Sequence, residues 1–202
     1  MWYATKKLFE NVNIKLDVHK RYGLIGANGA GKSTFLKILS GVYEASSGEV
    51  VIDKGLKMGV LGQDQYAFED LSLKDAVLIG NKRLYEAIKR KEYLYENGDL
   101  SDEQVNVELV ELEMICAEED PMYEYDVVIE KILEDLGFAS SIHNELMKTI
   151  TGGDKFKILL AQVLFPKPDI LLLDEPTNNL DLPTIAWLEE NLKRHEGTLV
   201  VI

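Results

Sequence analysis

Between residues 12 and 18 the chain alternates apolar and polar side chains, Val12-Asn13-Ile14-Lys15-Leu16-Asp17-Val18, the period of a half-buried strand. Glu49 to Ile52 follows a Ser46-Ser47-Gly48 turn, and Lys57 to Leu61 follows Lys54-Gly55. Both read as short strands, antiparallel and flanking a short buried strand over Tyr22-Gly23-Leu24-Ile25. A later run, Ile170-Leu171-Leu172-Leu173, is continuously apolar, as expected of a parallel strand covered on both faces, and Thr198 to Ile202 reads as a last buried strand.

From Ser72 the period lengthens. Ser72 and Asp75 have capping-box spacing, and Leu73, Val77, Gly80, Leu84 and Ile88 share one helical face, which predicts a helix running to about Tyr95 and stopping at Asn97-Gly98. Ser101 and Gln104 open a second, with Val105, Leu109, Leu112 and Cys116 along its stripe. The first carries Lys82, Arg83, Lys89, Arg90 and Lys91, and the second carries Glu103, Glu108, Glu111, Glu113, Glu118 and Glu119. An antiparallel hairpin with complementary faces is the simple reading, and a solvated charged hairpin with no partner is its competitor. Further helices are expected from Tyr125 to Leu136, ended by Gly137, from near Gly153 to Phe165, stopped by Pro166 and Pro168, and from Leu182 to Arg194 with Pro183 in the first turn. Lys32 to Ser40, closed by Gly41, is one more.

With 202 residues and 46% hydrophobic content the chain can bury one good core and a subdomain. A net charge of -13 argues against a surface that binds nucleic acid generally. Cys116 is the only cysteine, which excludes an internal disulfide and suits a reducing compartment. The start MWYATKK has no apolar signal core, and no run approaches the roughly 18 apolar residues of a membrane span. The expectation is a cytoplasmic chain. His19, His143 and His195 lack ligand spacing, so no metal triad is expected, and Trp187 reads as core.

The chemistry starts at Gly26-Ala27-Asn28-Gly29-Ala30-Gly31-Lys32-Ser33, which fits G-x-x-x-x-G-K-[ST]. Glycines at 26, 29 and 31 let the backbone take positive φ and turn successive N–H groups toward a polyphosphate. Lys32 is placed to reach β- and γ-phosphates and Ser33 to ligate Mg2+. A strand before the loop and a helix after it make an anion site from backbone alone. The second run, Ile170 to Leu173, ends in Asp174-Glu175. A carboxylate at that strand end can hold Mg2+ together with Ser33, and Glu175 can take a proton from an attacking water.

GANGAGKS, LLLDEPTNNLD and the TGGD segment between them resemble an ATP-binding cassette over nearly the whole chain. That resemblance implies an α/β P-loop NTPase fold of the ABC type, with an antiparallel β subdomain and a helical subdomain carrying an inserted αα-hairpin arm. It places residues 1–71 and 138–202 in a discontinuous ATP-binding core, with the signature helix from about 151, and residues 72–137 in the helical part, the arm at about 82–119. It implies nucleotide contacts by Tyr3, stacked on adenine, and by Gly26, Asn28, Gly29, Ala30, Gly31, Lys32, Ser33 and Thr34. Thr151, Gly152 and Gly153 correspond to the signature that closes on ATP of an opposite cassette, and Asn178-Asn179-Leu180-Asp181 to the D-loop. Gln63 matches the glutamine that contacts Mg2+ and the attacking water, so Glu175 and Gln63 are the catalytic pair, and Ser33, Gln63 and Asp174 the metal contacts.

The wording EPTNNLD, the hairpin inserted between Gln63 and Thr151, and the lack of a span resemble the ABC-F branch, and QDQYAFED resembles its YbiT group. The resemblance implies an Mg-dependent ATPase that needs a second cassette and acts on the ribosome, with the arm touching tRNA or ribosome. Two alternatives keep the same phosphate chemistry: the ATPase subunit of a membrane transporter, and a slowly hydrolysing ATP-dependent scaffold. The signature departs from LSGGQ, with Asp154 replacing a neutral amide; its charge would oppose a polyphosphate unless it points away or meets Lys155 or Lys157. The family continues past Val200-Val201-Ile202 with Ser-His-Asp, so the expectation is an N-terminal cassette truncated before that histidine, with the strand before Tyr3 shortened.

Overall fold

Among the described residues, four short strands, all parallel, form the sheet around which the chain is built, in the order Arg21–Gly23, Thr198–Val201, Ile170–Leu173, Met58–Val60. They are β3 (Arg21–Gly23), β4 (Met58–Val60), β5 (Ile170–Leu173) and β6 (Thr198–Val201), preceded by a two-residue antiparallel pair, β1 (Trp2–Tyr3) with β2 (Lys6–Lys7). The helices are α1 (Lys32–Leu39), α2 (Leu73–Leu78), α3 (Lys82–Asn97), α4 (Glu103–Glu119), α5 (Tyr125–Asp135), α6 (Gly152–Leu164) and α7 (Leu182–Arg194). The structure is a computed structural model that describes every residue except 1, 4, 5, 63, 65 and 179, and describes residues 2, 3, 6 and 7 by backbone alone.

Strand alternation sorts the sheet into two faces. Leu171 and Leu173 of β5 join Leu199, Leu188 of α7, and Phe156, Leu159 and Leu160 of α6. Leu172 and Val200 turn the other way, against Leu36 of α1. The sheet is therefore covered by helices on both sides, which is why β5 carries four apolar residues in a row. A second core lies among α2, α3, α5 and α6, where Leu73, Val77, Leu133, Met147 and Ile158 are all fully buried. Each such side chain stabilises by about 1.5–3 kcal/mol relative to exposure.

The strand readings need correction at four places. Residues 12–18 and 49–52 form no strand; Val12, Ile14 and Val51 are exposed, and no ladder pairs them among the described residues. Alternation says which way side chains point, while a strand also needs a partner for its backbone. Residues 17–19 instead wrap the start of β6: the His19 N–H donates to Thr198 Oγ1 at 3.1 Å, with His19 at φ 58. The Lys57–Leu61 stretch does form β4, but it runs parallel to β5 rather than antiparallel. Finally, β3 is a partly exposed edge strand, not a buried one.

The long helix expected from Ser72 is two helices. Ser72 caps α2 through the Asp75 N–H, but the chain breaks at Gly80, and the Asn81 side chain caps α3 by accepting from the Leu84 N–H. A Cβ on Gly80 would stand 2.0 Å from the carbonyl oxygen of Gln162. Gln162 in turn donates to the Ala76 carbonyl at 2.7 Å, so α6 presses on the junction. The next cap is Asp102, not Ser101: its side chain accepts from the Gln104 N–H, while the Ser101 hydroxyl bonds Asp99.

The α3–α4 hairpin forms with its charges interlocked. Arg83 meets Glu118 at 2.6 Å and Glu119 at 3.0 Å, Arg90 meets Glu108 at 2.6 Å, and Lys91 meets Glu113. Lys89 reaches Asp75 and Glu92, each at 3.0 Å. The basic stripe is thus turned largely upon the molecule's own acids.

Candidate nucleotide site

The loop from Gly26 to Ser33 joins β3 to α1 as its spacing demands. Gly29 and Gly31 hold φ values of 76 and 97, the left-handed region where a Cβ is disfavoured. Gly31 is also hemmed in: a Cβ there would lie 3.2 Å from Leu8 and 3.3 Å from the Phe9 ring. Gly31 occupies the N-cap of α1 and offers no side-chain cap. The first amides of the helix are left for an outside acceptor, with the positive end of the dipole behind them. Lys32 folds over the loop and donates to the carbonyls of Gly26 at 3.0 Å and Ala27 at 3.3 Å.

A cleft of about 330 Å3 opens here, lined by Leu8, Asn28, Gly29, Gly31, Lys32, Ser33, Thr34 and Glu175. A larger open groove, about 2130 Å3, lies elsewhere, walled by apolar residues such as Val12, Ile52 and Trp187 and touching none of residues 26–34. The smaller cleft is where donors, a cation and a carboxylate converge, so it is the candidate site. Glu175 reaches it because β5 lies beside β6 in the sheet and ends at the same height as β3. The Leu24 N–H donates to Val201 at 2.8 Å, the Ile202 N–H to Leu173 at 3.0 Å, and the Glu175 N–H to Ile202 at 3.2 Å. These bonds tie the three strand ends together.

Residues 9–178 match the ABC transporter family. The chain belongs to that family, as an ATP-binding cassette. It is 46% identical over 200 residues to the uncharacterized ABC transporter ATP-binding protein YkpA of Bacillus subtilis, covering 99% of this chain and 37% of that protein. It is 42% identical to the probable ATP-binding protein YbiT of Escherichia coli O157:H7, covering 100% and 38%. Against the energy-dependent translational throttle protein EttA of Haemophilus influenzae it is 31% identical, covering 98% and 35%. The chain thus spans little more than a third of the length of these curated relatives. Two solved cassettes share the fold at 19% identity. One, an ATP binding subunit of an ABC transporter, superposes with a TM-score of 0.70 over 98% of this chain and 74% of that one. The other, the dimeric post-hydrolysis state of the ATP-binding cassette MJ0796 bound to ADP and Pi, gives 0.63 over 96% and 79%.

Of the residues expected at the cassette's site, Asn28, Gly29, Gly31, Lys32, Ser33, Thr34 and Glu175 share the cleft. Gly26 and Ala30 build the loop without lining it, and Asp174 sits half-buried at the end of β5. Gln63, the Tyr3 side chain and Asn179 lie outside the described residues. Thr151, Gly152 and Gly153 stand at the start of α6, away from the cleft wall. Among the described residues no group of three acids, cysteines or histidines could hold a metal alone. The Ser33 hydroxyl and the Glu175 carboxylate give the cleft oxygen donors, the kind of ligand a hard cation such as Mg2+ takes.

Of the neighbours expected for Asp154, Lys157 meets it and Lys155 does not, while its bond to Thr151 and the Lys157–Asp181 pair were not readable from spacing. Thr151 caps α6, and its hydroxyl donates to Asp154 Oδ2 at 2.7 Å while accepting from the Asp154 N–H at 3.3 Å. Lys157 then pairs with Asp154 at 3.5 Å and Asp181 at 2.9 Å. The Asp181 carboxyl is held down to about 2 by the bonds from Thr184 and then by Lys157, while burial, which lowers the Lys157 ammonium, is outweighed by those acids and it rises. Lys155, one residue from Asp154, is buried instead and pairs with Glu69 at 2.5 Å beneath the Tyr66 ring. That links α6 to the stretch following residue 63.

Proposed function

We propose that this chain is an ATP-hydrolysing cassette of the ABC-F type, acting in the cytoplasm on the ribosome. The observation that carries the hydrolytic half is the presence of Glu175 in the same cleft as Lys32 and Ser33. In this reading the loop amides and Lys32 bind the phosphates, and Ser33, Asp174 and Gln63 hold Mg2+. Bound Mg2+ supplies charge neutralisation at the phosphates. Glu175 accepts a proton from water, Gln63 orients that water, and Tyr3 stacks on adenine. Thr151, Gly152 and Gly153 serve the nucleotide of a second cassette, a pairing for which the dimeric MJ0796 is a precedent in that protein.

Likeness to EttA, called a translational throttle, supports the ribosomal half, as does the α3–α4 hairpin between residues 63 and 151. With this goes a division of the chain into a discontinuous ATP-binding core and a helical part at about 72–137. A transporter ATPase subunit is the second reading, favoured by the family's membership and by the solved transporter subunit that shares the fold. No helix among the described residues is long and apolar enough to cross a membrane, so that reading needs a membrane-spanning part outside them.

Glu175→Gln in the intact protein tests the chemistry: turnover should fall by roughly 10²–10⁴ with ATP still bound, and parental turnover would refute the assignment. Ribosomes that co-sediment with that ATP-loaded variant support the ABC-F reading, whereas an integral-membrane partner supports the transporter.

A further inference from the structure

Glu175 opens a tight turn. Its carbonyl accepts from the Asn178 N–H at 3.1 Å, and Pro176 fills the second position, where its fixed φ is favoured. The turn sets the side chains of its first and fourth residues side by side. Glu175 itself holds φ 48, a left-handed value that costs energy in a residue with a Cβ. Its N–H is anchored on Ile202 at 3.2 Å. The backbone thus delivers the carboxylate to the cleft from a constrained position, and one neighbouring side chain then grips it. The Asn178 amide donates to Glu175 Oε2 at 2.6 Å, although Asn178 itself does not line the cleft.

We propose that Asn178 is a positioning residue for Glu175, an inference that rests on reading Glu175 as the base. A carboxamide suits the task. It donates strongly to an ionised carboxylate, and it brings no charge beside a triphosphate. The held carboxylate keeps its second oxygen as an acceptor for a proton, while the bond on Oε2 removes rotamers that would swing the group out of the cleft. A lysine at 178 would also hold the carboxylate, but its positive charge would weaken it as a base. An aspartate would repel it.

The test uses the intact protein and two independent readouts. Asn178→Ala should lower kcat about tenfold, the low end for losing a hydrogen bond to a charged group at an exposed site. KM and nucleotide affinity should hold, and Asn178→Gln, which keeps the amide, should recover part of the loss. In the Glu175→Gln background, Asn178→Ala should have no further effect. The second readout needs no turnover. The Asn178 side-chain amide signal in a 1H–15N spectrum of nucleotide-free protein, assigned by its loss in Asn178→Ala, should move upfield in Glu175→Gln. An unmoved signal, an unchanged kcat in Asn178→Ala, or equal losses of kcat and nucleotide affinity would overturn the inference. If Glu175→Gln is inactive and Asn178→Ala is not slowed, only this inference fails. If Glu175→Gln turns over at the parental rate, the base assignment fails and takes the inference with it.

Discussion

The Lys157 ammonium lies 2.9 Å from Oδ2 of Asp181, so α6, whose N-cap is Thr151, is bonded to the residue that caps α7. Asp181 also accepts from the Thr184 N–H at 2.9 Å. Its folded value of about 2 lies below the ordinary carboxylate value of 3.8. A depressed carboxyl stabilises the fold above its unfolded value, and that contribution is lost as pH falls through the folded one. Asp181→Asn keeps a good N-cap but not the charge. The variant should therefore melt below the parent near neutral pH, and the gap should close between about pH 4 and about pH 2. A gap unchanged in acid would show that the carboxylate's charge is not what matters.

Gly80→Ala pits helix propensity against packing. Alanine gains up to about 1 kcal/mol where a backbone can be helical, but here the new Cβ would meet the Gln162 carbonyl at 2.0 Å, and backbone cannot swing aside as a side chain does. Packing wins. The variant should lose about 1–3 kcal/mol in urea unfolding, and a stabilised variant would mean that α2 and α3 can fuse.

What could be read in advance follows from the range of the interaction that decides each feature. The phosphate loop is local: Gly29, Gly31, Lys32 and Ser33 act within a few residues, and their pattern is specific. Burial on both faces likewise marks β5 by its unbroken leucines. The break at Gly80 depends on a residue more than eighty positions away, and nothing in the apolar stripe through Leu84 and Ile88 records it. The direction of β4 and the missing ladder at residues 12–18 are choices of partner, and alternation carries no partner's name. The Asn178 grip on Glu175 had a local signal, proline in the second position of a four-residue turn, that points to the contact.

Arg90→Glu places two like charges where Arg90 and Glu108 now pair at 2.6 Å across the hairpin. The pair is exposed, so the loss should be small and should shrink with added salt. The exchange Arg90→Glu with Glu108→Arg should return most of it, as read by the unfolding midpoint. Failure of the exchange would assign the cost to loss of the Arg90 guanidinium's place over Tyr93, whose ring centre is 5.4 Å from it. The same pairing bears on the arm as an interaction surface: a triple change of Lys89, Arg90 and Lys91 to Glu would break the hairpin's own bonds and confound any loss of binding.

Lys32→Ala removes the ammonium that spans Gly26 and Ala27. Nucleotide affinity by calorimetry should fall at least about tenfold, a charged hydrogen bond's worth, with little change in melting because the carbonyls it leaves are exposed to water. Lys32→Arg should not restore it, since a planar fork does not replace a compact charge in this loop. Unchanged affinity in Lys32→Ala would detach the loop from nucleotide binding.

Asp154→Gln separates two effects with opposite signs. Asp154 sits in the first turn of α6, where a negative charge suits the dipole, and it accepts a hydrogen bond from the Thr151 hydroxyl at 2.7 Å. Replacing it should cost about 0.3–1 kcal/mol of stability. If Thr151 faces the phosphates of an opposing cassette, however, the same change removes a repelling charge and releases a donor. Lys157 offsets the acid only in part, since it stands nearer Asp181 than Asp154. ATP-dependent pairing of cassettes, followed by sedimentation of the intact protein in the Glu175→Gln background, should therefore tighten while the melting temperature falls slightly. The gain should fade as salt screens the charge. Weaker pairing at every salt concentration would show instead that the Asp154 carboxylate is needed to set Thr151, and that this signature works by holding its hydroxyl in place.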